Sequence, residues 1–259
     1  MIPQHDIPAQ LTMLADRKRS NCKLVALTAY DYPSARLLDE AGVDLILVGD
    51  SLGMVVLGYE DTTFVTLEEM EHHTRACRRG VTRALLVGDL PFQTYASPEQ
   101  AVVSARRLVE AGAEMVKLEG GAEKAGEVAA IVADGIPVMG HIGMLPQQVR
   151  EEGGYKKKGK TPADAGRLRE DAAALVRAGV SAMVLESMVA DVAAEITRNV
   201  PVPTIGIGAG EGCDGQILVL HDLIGGFPWF RPGFAMQHGD VAGEITRAVE
   251  AYAKVVRGE

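Results

Sequence analysis

Short apolar runs that end abruptly in a carboxylate are the dominant pattern along the chain. LILV at residues 45–48 leads through Gly49 to Asp50, and the pattern returns in RALLVGD, EMVKLEG and SAMVLES, which deliver Asp89, Glu119 and Glu186. Such runs, bounded by glycine or polar residues, indicate buried strands. A buried carboxylate is costly unless it is paired or binds a metal. The pattern therefore predicts parallel strands whose carboxyl ends converge on one polar site.

Helical segments alternate with these strands, and an Ala-Gly junction joins helix to strand three times, at residues 41–42, 111–112 and 178–179. Glycine readily takes the left-handed conformation just past a helix C-terminus. Strands are predicted over residues 24–29, 45–48, 84–88, 115–118, 137–140, 182–185, 204–207 and 217–220. Helices are predicted over residues 34–41, 67–79, 98–111, 122–133, 162–178, 189–198 and 241–256.

Eight strands alternating with helices predict an α/β fold, a TIM-type (β/α)8 barrel in which residues 1–259 form a single domain. Residues 7–17 carry Ile7, Leu11 and Leu14 on one helical face, so they predict an N-terminal helix that caps the bottom of the barrel. Residues 208–216 are short and glycine-rich, and the seventh helix is therefore expected to be truncated or missing. A doubly wound open sheet is the alternative fold.

Composition and charge limit the possible partners and the location. A net charge of -9 argues against a nucleic-acid or anionic-membrane surface. No apolar run is long enough to span a bilayer, and the segment MIPQHDIPAQ lacks a signal-peptide pattern. The three cysteines, Cys22, Cys77 and Cys213, are scattered without zinc or redox spacing. These features predict a cytoplasmic protein with reduced thiols and with neither nucleic-acid nor membrane partners.

Barrel active sites lie at the carboxyl ends of the strands. The predicted strands deliver the following residues there: Tyr30, Asp50, Ser51, Asp89, Lys117, Glu119, His141 and Glu186. Any one of them could be a structural polar residue, but four carboxylates at strand ends together favour function. Oxygen ligands without cysteine or paired-histidine spacing favour Mg²⁺ over Zn²⁺. Such an ion can bind an α-keto acid and stabilise its enolate while a base removes the α-proton.

A lysine-rich segment follows the fifth predicted strand, on the side of the barrel that carries the site. Residues 153–160 read GGYKKKGK, and four of them are lysines. A mobile, solvated loop is one interpretation. A lid whose lysines attract an anion is the alternative, because loops on this face of a barrel commonly carry function.

Long stretches of the chain resemble the ketopantoate hydroxymethyltransferase (3-methyl-2-oxobutanoate hydroxymethyltransferase) family. The segments that carry the resemblance are TAYDYPSARLLDEAGVDLILVGDSLGMVVLGYE, GDLPF, VKLEGG, GHIGMLPQ, GGYKKKGKT and PTIGIGAGEGCDGQILVLHDLIG. Together they extend over about residues 23–225, and their combination is highly specific.

The resemblance implies a barrel enzyme of pantothenate biosynthesis. It would transfer a hydroxymethyl group from 5,10-methylenetetrahydrofolate to 3-methyl-2-oxobutanoate with Mg²⁺ as cofactor, and it would form a homo-oligomer, commonly a decamer. By the same resemblance, Asp50 and Asp89 bind the metal and Glu119 approaches it. The keto acid is contacted by Ser51, Asp89, Lys117 and His141, with Tyr30 as a possible further residue on the substrate side. Glu186 is the proposed base, and Glu119 is its main competitor.

Two rival functions remain at this point. Another metal-dependent barrel enzyme of α-keto acids, of the phosphoenolpyruvate mutase and isocitrate lyase type, would require a cysteine-bearing loop near the site. None of the three cysteines lies at the end of a candidate catalytic strand. A barrel that only binds a small acid would be marked by loss of Asp50, Asp89 or Glu186, and all three are present.

Overall fold

Eight parallel strands close into a barrel in chain order, in a computed structural model that describes residues 6–259. The strands are β1 (Leu24–Thr28), β2 (Leu45–Val48), β3 (Leu85–Asp89), β4 (Met115–Glu119), β5 (Val138–Gly143), β6 (Ala182–Glu186), β7 (Thr204–Ile207) and β8 (Gly215–Leu218). The backbone N–H of Leu24 donates to the carbonyl of Asp214 at 2.9 Å, where the last strand meets the first. The barrel is confirmed, and the doubly wound open sheet is wrong.

Helices separate the strands in nearly the predicted positions. They are α1 (Ile7–Arg19), α2 (Tyr32–Ala41), α3 (Leu52–Val55), α4 (Leu67–Arg78), α5 (Pro98–Glu110), α6 (Ala125–Ala133), α7 (Val149–Glu152), α8 (Pro162–Ala178), α9 (Ala190–Asn199), α10 (Leu220–Ile224) and α11 (Val241–Arg257). Three short helices, α3, α7 and α10, were not predicted. Residues 208–214 form turns and bends without a helix, which confirms the missing seventh helix.

The last strand begins two residues earlier than predicted because of a crowded position next to β1. A Cβ atom at Gly215 would lie 2.5 Å from the carbonyl oxygen of Leu24 and 2.9 Å from the side chain of Ile205. Only glycine lets this strand lie so close to the backbone of β1 and to the side chain of Ile205. Leu220, which the sequence placed in this strand, instead begins α10.

The N-terminal helix caps the lower end of the barrel, as predicted. Asp6 accepts a hydrogen bond from the backbone of Ala9 and so provides the N-cap of α1. Leu14 is buried among inward-facing side chains from all eight strands, and Leu11 packs against the same cluster. At the end of α1, the Nζ atom of Lys18 donates to Asp214 at 2.7 Å. Burial of this apolar face closes the bottom of the barrel and leaves its upper end for the site.

The described chain forms two compact units. The first ends at Ile217 and holds the barrel, and the second, Leu218–Glu259, holds α10 and α11. In the second unit Asp240 caps α11 by accepting from Gly243 at 3.2 Å, and no residue of α11 is buried. The single domain over residues 1–259 stays a prediction, and its first five residues lie outside the described range. Within residues 6–259, no helix has the length and apolar character needed to cross a membrane.

Candidate active site

The predicted site residues lie together at the carboxyl ends of β2 to β6. Neighbouring strands pair in register there, with Asp89 beside Lys117 and Glu119 beside His141. Five of these side chains belong to residues at most 4% exposed: Asp50, Asp89, Lys117, Glu119 and His141. Charged residues are almost never this buried without partners. The strand ends therefore form one buried, ionisable cluster in the first unit.

Lys117 links two of the carboxylates. Its Nζ atom donates to Oδ1 of Asp89 at 2.6 Å and lies 3.7 Å from Oε1 of Glu119. Burial alone would lower the pKa of Lys117, but Asp89, Glu119 and Asp50 outweigh burial and raise it above its ordinary 10.5. For Glu119, burial would raise the pKa, and the lysine and His141 instead hold it below 4.5. Lys117 and Glu119 are thus a stable ion pair at neutral pH.

Asp50 is an acid whose ionised form is disfavoured by the rest of the cluster. Burial raises its pKa well above 3.8, and the carboxylates of Asp89 and Glu119 add to the effect. Burial also raises the pKa of Asp89, although Lys117 opposes it. The backbone N–H of Asp50 donates to Oδ2 of Asp89 at 3.3 Å, so the Asp89 carboxylate lies beside the Asp50 backbone. An added cation would relieve this repulsion.

The donor set fits Mg²⁺. Among the described residues no group of three or more His, Cys, Asp or Glu side chains is arranged to hold a metal ion. Mg²⁺ does not require one, because it usually keeps several waters and binds one or two protein carboxylates together with substrate oxygens. The buried carboxylates of Asp50 and Asp89, each with a pKa raised by burial, are a candidate for such a pair.

His141 lies between two acids. Its Nε2 atom is 3.2 Å from Oε2 of Glu186, and its Nδ1 atom is 3.5 Å from Oε1 of Glu119. Neither ring nitrogen has the alignment of a hydrogen bond within the described chain. Burial would lower the pKa of His141, yet the two carboxylates raise it to about 9. No lysine or arginine lies close to Glu186 in the sequence. In the barrel, His141 of the adjacent strand β5 provides a cationic ring beside it.

The backbone beneath Glu186 is unusually close-packed. Gly143, at the end of β5, has φ of +106°, and a Cβ atom there would lie 2.2 Å from the carbonyl oxygen of Glu186. The next residue, Met144, donates its N–H to that same carbonyl at 2.9 Å. Ser187 follows the glutamate in the left-handed region with φ of +45°. These contacts hold the end of β6 in one position.

Tyr30 and Ser51 lie on the β1–β2 side of the cluster. Their hydroxyl groups share a hydrogen bond of 2.9 Å. Tyr30 is 2% exposed, and Nδ1 of His73 is 2.6 Å from its carbonyl oxygen. Ser51 directly follows Asp50 in the chain and is the N-cap residue of the short helix α3.

Gln147 is a site residue that strand-end reasoning missed. It lies in a single 3-10 turn, Pro146–Gln148, after β5, and it is 3% exposed. Its side-chain Nε2 donates to Oδ2 of Asp50 at 2.8 Å, and its backbone N–H donates to Oε2 of Glu119 at 3.0 Å. The only sequence signal was its place in the GHIGMLPQ motif.

The lysine-rich segment is partly anchored rather than uniformly solvated. Lys158 donates to Oε2 of Glu152 at 2.6 Å, and its backbone bonds to Ser187 and Val189 on either side of Met188. Lys156, Lys157 and Lys160 are exposed. The segment therefore joins the end of β6, next to Glu186, through one lysine and presents the other three to solvent.

Comparison with known proteins identifies the family. The family model described as ketopantoate hydroxymethyltransferase matches residues 9–259. A protein of Dehalococcoides mccartyi (strain CBDB1), named 3-methyl-2-oxobutanoate hydroxymethyltransferase, is 53% identical over 95% of this chain and 89% of its own length. Proteins of the same name from Oleidesulfovibrio alaskensis and Ignicoccus hospitalis are each 56% identical over 91% of this chain, covering 82% and 89% of their lengths.

Solved structures agree on the architecture. A phosphoenolpyruvate phosphomutase from Streptomyces platensis subsp. rosaceus has a TM-score of 0.67 at 15% identity, covering 98% of this chain and 88% of its own. A 2,3-dimethylmalate lyase has a TM-score of 0.62 at 18% identity, covering 96% and 87%. These likenesses concern the fold alone. The sequence relatives decide the family: this chain is a transferase-class enzyme that belongs to the ketopantoate hydroxymethyltransferase family.

Proposed function

We propose that this chain transfers a hydroxymethyl group from 5,10-methylenetetrahydrofolate to 3-methyl-2-oxobutanoate and forms ketopantoate in pantothenate biosynthesis. A bond forms between C3 of the keto acid and the methylene carbon, water supplies the hydroxyl oxygen, and tetrahydrofolate leaves. The observation that carries the proposal is the buried cluster of acids around Lys117 and His141, in a chain whose relatives are named for this activity.

Asp50 and Asp89 would hold Mg²⁺, with Glu119 beside them. When bound, the ion supplies Lewis-acid polarisation of the keto-acid carbonyl, which makes the C3 proton more acidic. The support is electrostatic, because burial and neighbouring acids disfavour the charge on Asp50 unless a cation is added. Asp89 already shares Lys117, so that Asp50 keeps the larger part of the unbalanced charge.

The substrate carboxylate and carbonyl would be bound by donors that face the cluster. Lys117 is a buried cation within reach of such a carboxylate. The ring nitrogens of His141 are buried without an aligned partner, and a substrate oxygen would satisfy them. Ser51 would add a hydroxyl contact, and Tyr30 orients that hydroxyl through their hydrogen bond. Asp89 would border the substrate as well as the metal.

Glu186 would act as the base that removes the C3 proton. Its side chain is 12% exposed, whereas that of Glu119 is 1% exposed. Glu119 is less suited, because its Oε2 accepts from the backbone of Gln147 and because Lys117 and His141 hold its pKa low. The ring of His141, whose Nε2 atom lies 3.2 Å from Oε2 of Glu186, would orient the carboxylate.

A single assay tests the proposal. The purified chain with 3-methyl-2-oxobutanoate, 5,10-methylenetetrahydrofolate and Mg²⁺ is expected to form ketopantoate, detected by NMR or mass spectrometry. Without folate it should still exchange the C3 proton with deuterated solvent. Absence of both ketopantoate and exchange would refute the proposed function. Proton exchange without formation of ketopantoate would support enolisation of the keto acid and would refute 5,10-methylenetetrahydrofolate as the donor.

We propose further that the chain assembles as a homo-oligomer, of which a decamer is the expected form, in the cytoplasm. The second unit exposes apolar side chains along α11, including Ile245, Val249, Tyr252 and Val255, each at least 60% exposed. Such a stripe is typical of a protein–protein contact. The three cysteines are free thiols, which suits a reducing compartment. Analytical ultracentrifugation tests the assembly, and a monomer at micromolar concentration would contradict it.

A further inference from the structure

Gln147 contacts residues at or just after the ends of three different strands. Its Nε2 atom donates to Oδ2 of Asp50 after β2 and to the carbonyl of Leu90 after β3, at 2.8 and 3.0 Å. Its Oε1 atom accepts from the hydroxyl of Tyr95. Its backbone N–H donates to Oε2 of Glu119 at the end of β4. One residue thus contacts two of the three predicted metal-site acids.

The orientation of this amide is determined by its partners. The carbonyl of Leu90 can only accept a hydrogen bond, so it must face the amino group of Gln147. The amide oxygen then lies on the other side, where the hydroxyl of Tyr95 donates to it. Because both amino hydrogens and the oxygen are engaged in a buried site, rotation of the amide would leave buried polar groups unpaired.

Asp50 and Asp89 have different hydrogen-bond donors, a neutral amide for Asp50 and a charged ammonium group for Asp89. The acid Asp89 is paired with the cation of Lys117, so much of its charge is compensated. The amide of Gln147 orients Asp50 without neutralising it, and one carboxylate oxygen stays free of the amide. Asp50 therefore has a fixed direction and one oxygen that is not bonded to the amide. A ligand for a divalent cation needs both.

We propose that Gln147 is a positioning residue that sets the affinity of the Asp50 and Asp89 pair for Mg²⁺, and that Tyr95 acts through it by holding the amide. This inference rests on the proposed function. Hydrogen-bond partners that orient metal ligands are commonly worth about 10–100-fold in metal affinity or activity. The same range is expected for loss of the amide.

Gln147→Met tests the proposal, because methionine has a similar length and lacks the donors. Mg²⁺ affinity is measured by isothermal titration calorimetry without substrate, and Mn²⁺ binding by electron paramagnetic resonance. We expect about 10–100-fold weaker binding, with kcat approaching the wild-type value at saturating Mg²⁺. Tyr95→Phe should weaken binding in the same direction by a smaller factor. The double variant should bind no more weakly than Gln147→Met alone, since the two residues act in series.

Gln148→Met is the matched control. Gln148 is half-buried on the same turn, and within the described chain its side chain forms no hydrogen bond with the site. Its Mg²⁺ affinity should be unchanged. Wild-type affinity in folded Gln147→Met, or an equal loss in Gln148→Met, would overturn the proposal. If Gln147→Met does not fold, wild-type affinity in Tyr95→Phe overturns it instead. A wild-type chain that neither binds Mg²⁺ nor forms ketopantoate would instead refute the proposed function.

Discussion

The imidazole of His141 separates the two candidate bases of the site, with its Nε2 atom 3.2 Å from Oε2 of Glu186. On the other side of the ring, Nδ1 lies 3.5 Å from Oε1 of Glu119. The two glutamates end β6 and β4, the strands on either side of β5. Glu119 thereby lies on the Lys117 and Asp89 side of the cluster, and Glu186 is the more exposed of the two, at 12% against 1%. This division supports a separate role for each glutamate.

Glu186→Gln is expected to stop proton removal while leaving binding intact. The substitution keeps the shape of the side chain and removes its basicity, so the rate of C3 proton exchange should fall about 10²–10⁴-fold. Affinities for Mg²⁺ and for 3-methyl-2-oxobutanoate should stay close to those of the wild type. The exchange is followed by NMR in deuterated solvent without folate. Exchange at the wild-type rate would transfer the role to Glu119, whose Glu119→Gln variant is the next test.

Gly143→Ala is expected to displace Glu186. The added Cβ atom would lie 2.2 Å from the carbonyl oxygen of Glu186, and the backbone at Gly143 is already in a region that favours glycine. The variant should lose proton exchange and about 1–3 kcal/mol in the free energy of unfolding. Urea denaturation and the exchange assay measure the two effects.

Gly42→Ala is the control for Gly143→Ala. Gly42 has φ of +85° at the C-terminus of α2, with no atom within 4 Å of its added Cβ. This variant should lose only about 1–2 kcal/mol through backbone strain and keep full exchange. Equal kinetic losses in the two variants would show that general destabilisation, and not movement of Glu186, causes the effect.

Removal of the metal and replacement of Asp50 should both abolish activity. Replacement of Asp50 should nevertheless raise the stability of the metal-free protein. Chelation should abolish C3 exchange, and added Mg²⁺ should restore it. Asp50→Asn should also lose exchange, yet its melting temperature in chelator should be higher than that of the wild type. The reason is that the variant removes a buried charge that Asp89 and Glu119 repel. A Mg²⁺-induced rise in melting temperature of equal size in both proteins would contradict a metal site at Asp50.

The exposed lysines of residues 156–160 are expected to attract the anionic folate. Lys156, Lys157 and Lys160 face solvent, so replacing all three with alanine should raise the apparent folate KM and flatten its dependence on ionic strength. The KM for the keto acid should not change. Lys158 is left intact, because its ion pair with Glu152 anchors the segment. A solvated loop without a role would leave both folate quantities unchanged.

Asp222 should make the unit Leu218–Glu259 less stable as the pH rises. Burial raises the pKa of Asp222 from 3.8 to about 6, and Arg231 opposes the shift. Between these values the folded state keeps a proton that the unfolded state has lost, so the free energy of unfolding falls with increasing pH. Asp222→Asn cannot ionise. It should match the wild type near pH 4 and exceed its melting temperature increasingly up to about pH 7.

Asp39→Asn is the control of opposite sign. Burial would raise the pKa of Asp39, but hydrogen bonds from residues 82–84 hold it below 3.8. The ionised acid therefore stabilises the fold at neutral pH, and this contribution is lost as the pH falls through the folded pKa. Asp39→Asn should melt below the wild type at pH 7, with a smaller difference in acid. A difference for Asp222→Asn that does not vary with pH would contradict the Asp222 prediction.

The sequence by itself determined the order and the type of nearly every element. β2 and α8 have the predicted limits residue for residue. The limits of α8 were readable because Thr161 caps its N-terminus, Pro162 suits its first turn, and Gly179 ends it in the left-handed conformation. These signals are local, since capping and strand burial depend on neighbouring residues. The strand-end carboxylates could also be identified from the sequence, since each follows an apolar run. A parallel barrel then gathers the carboxyl ends of its strands at one edge.

Only the tertiary structure decided which side chains meet. Gln147 contacts Asp50 across 97 residues of sequence, from a turn that shows neither helical nor strand periodicity. The position of His141 between Glu119 and Glu186 depends on the register of three strands, and a shift by one residue would point the ring to the other face of the sheet. The early start of β8 depends on the close approach of β1 at Gly215. Such contacts depend on the packing of segments that are distant in the sequence, so local sequence signals do not predict them.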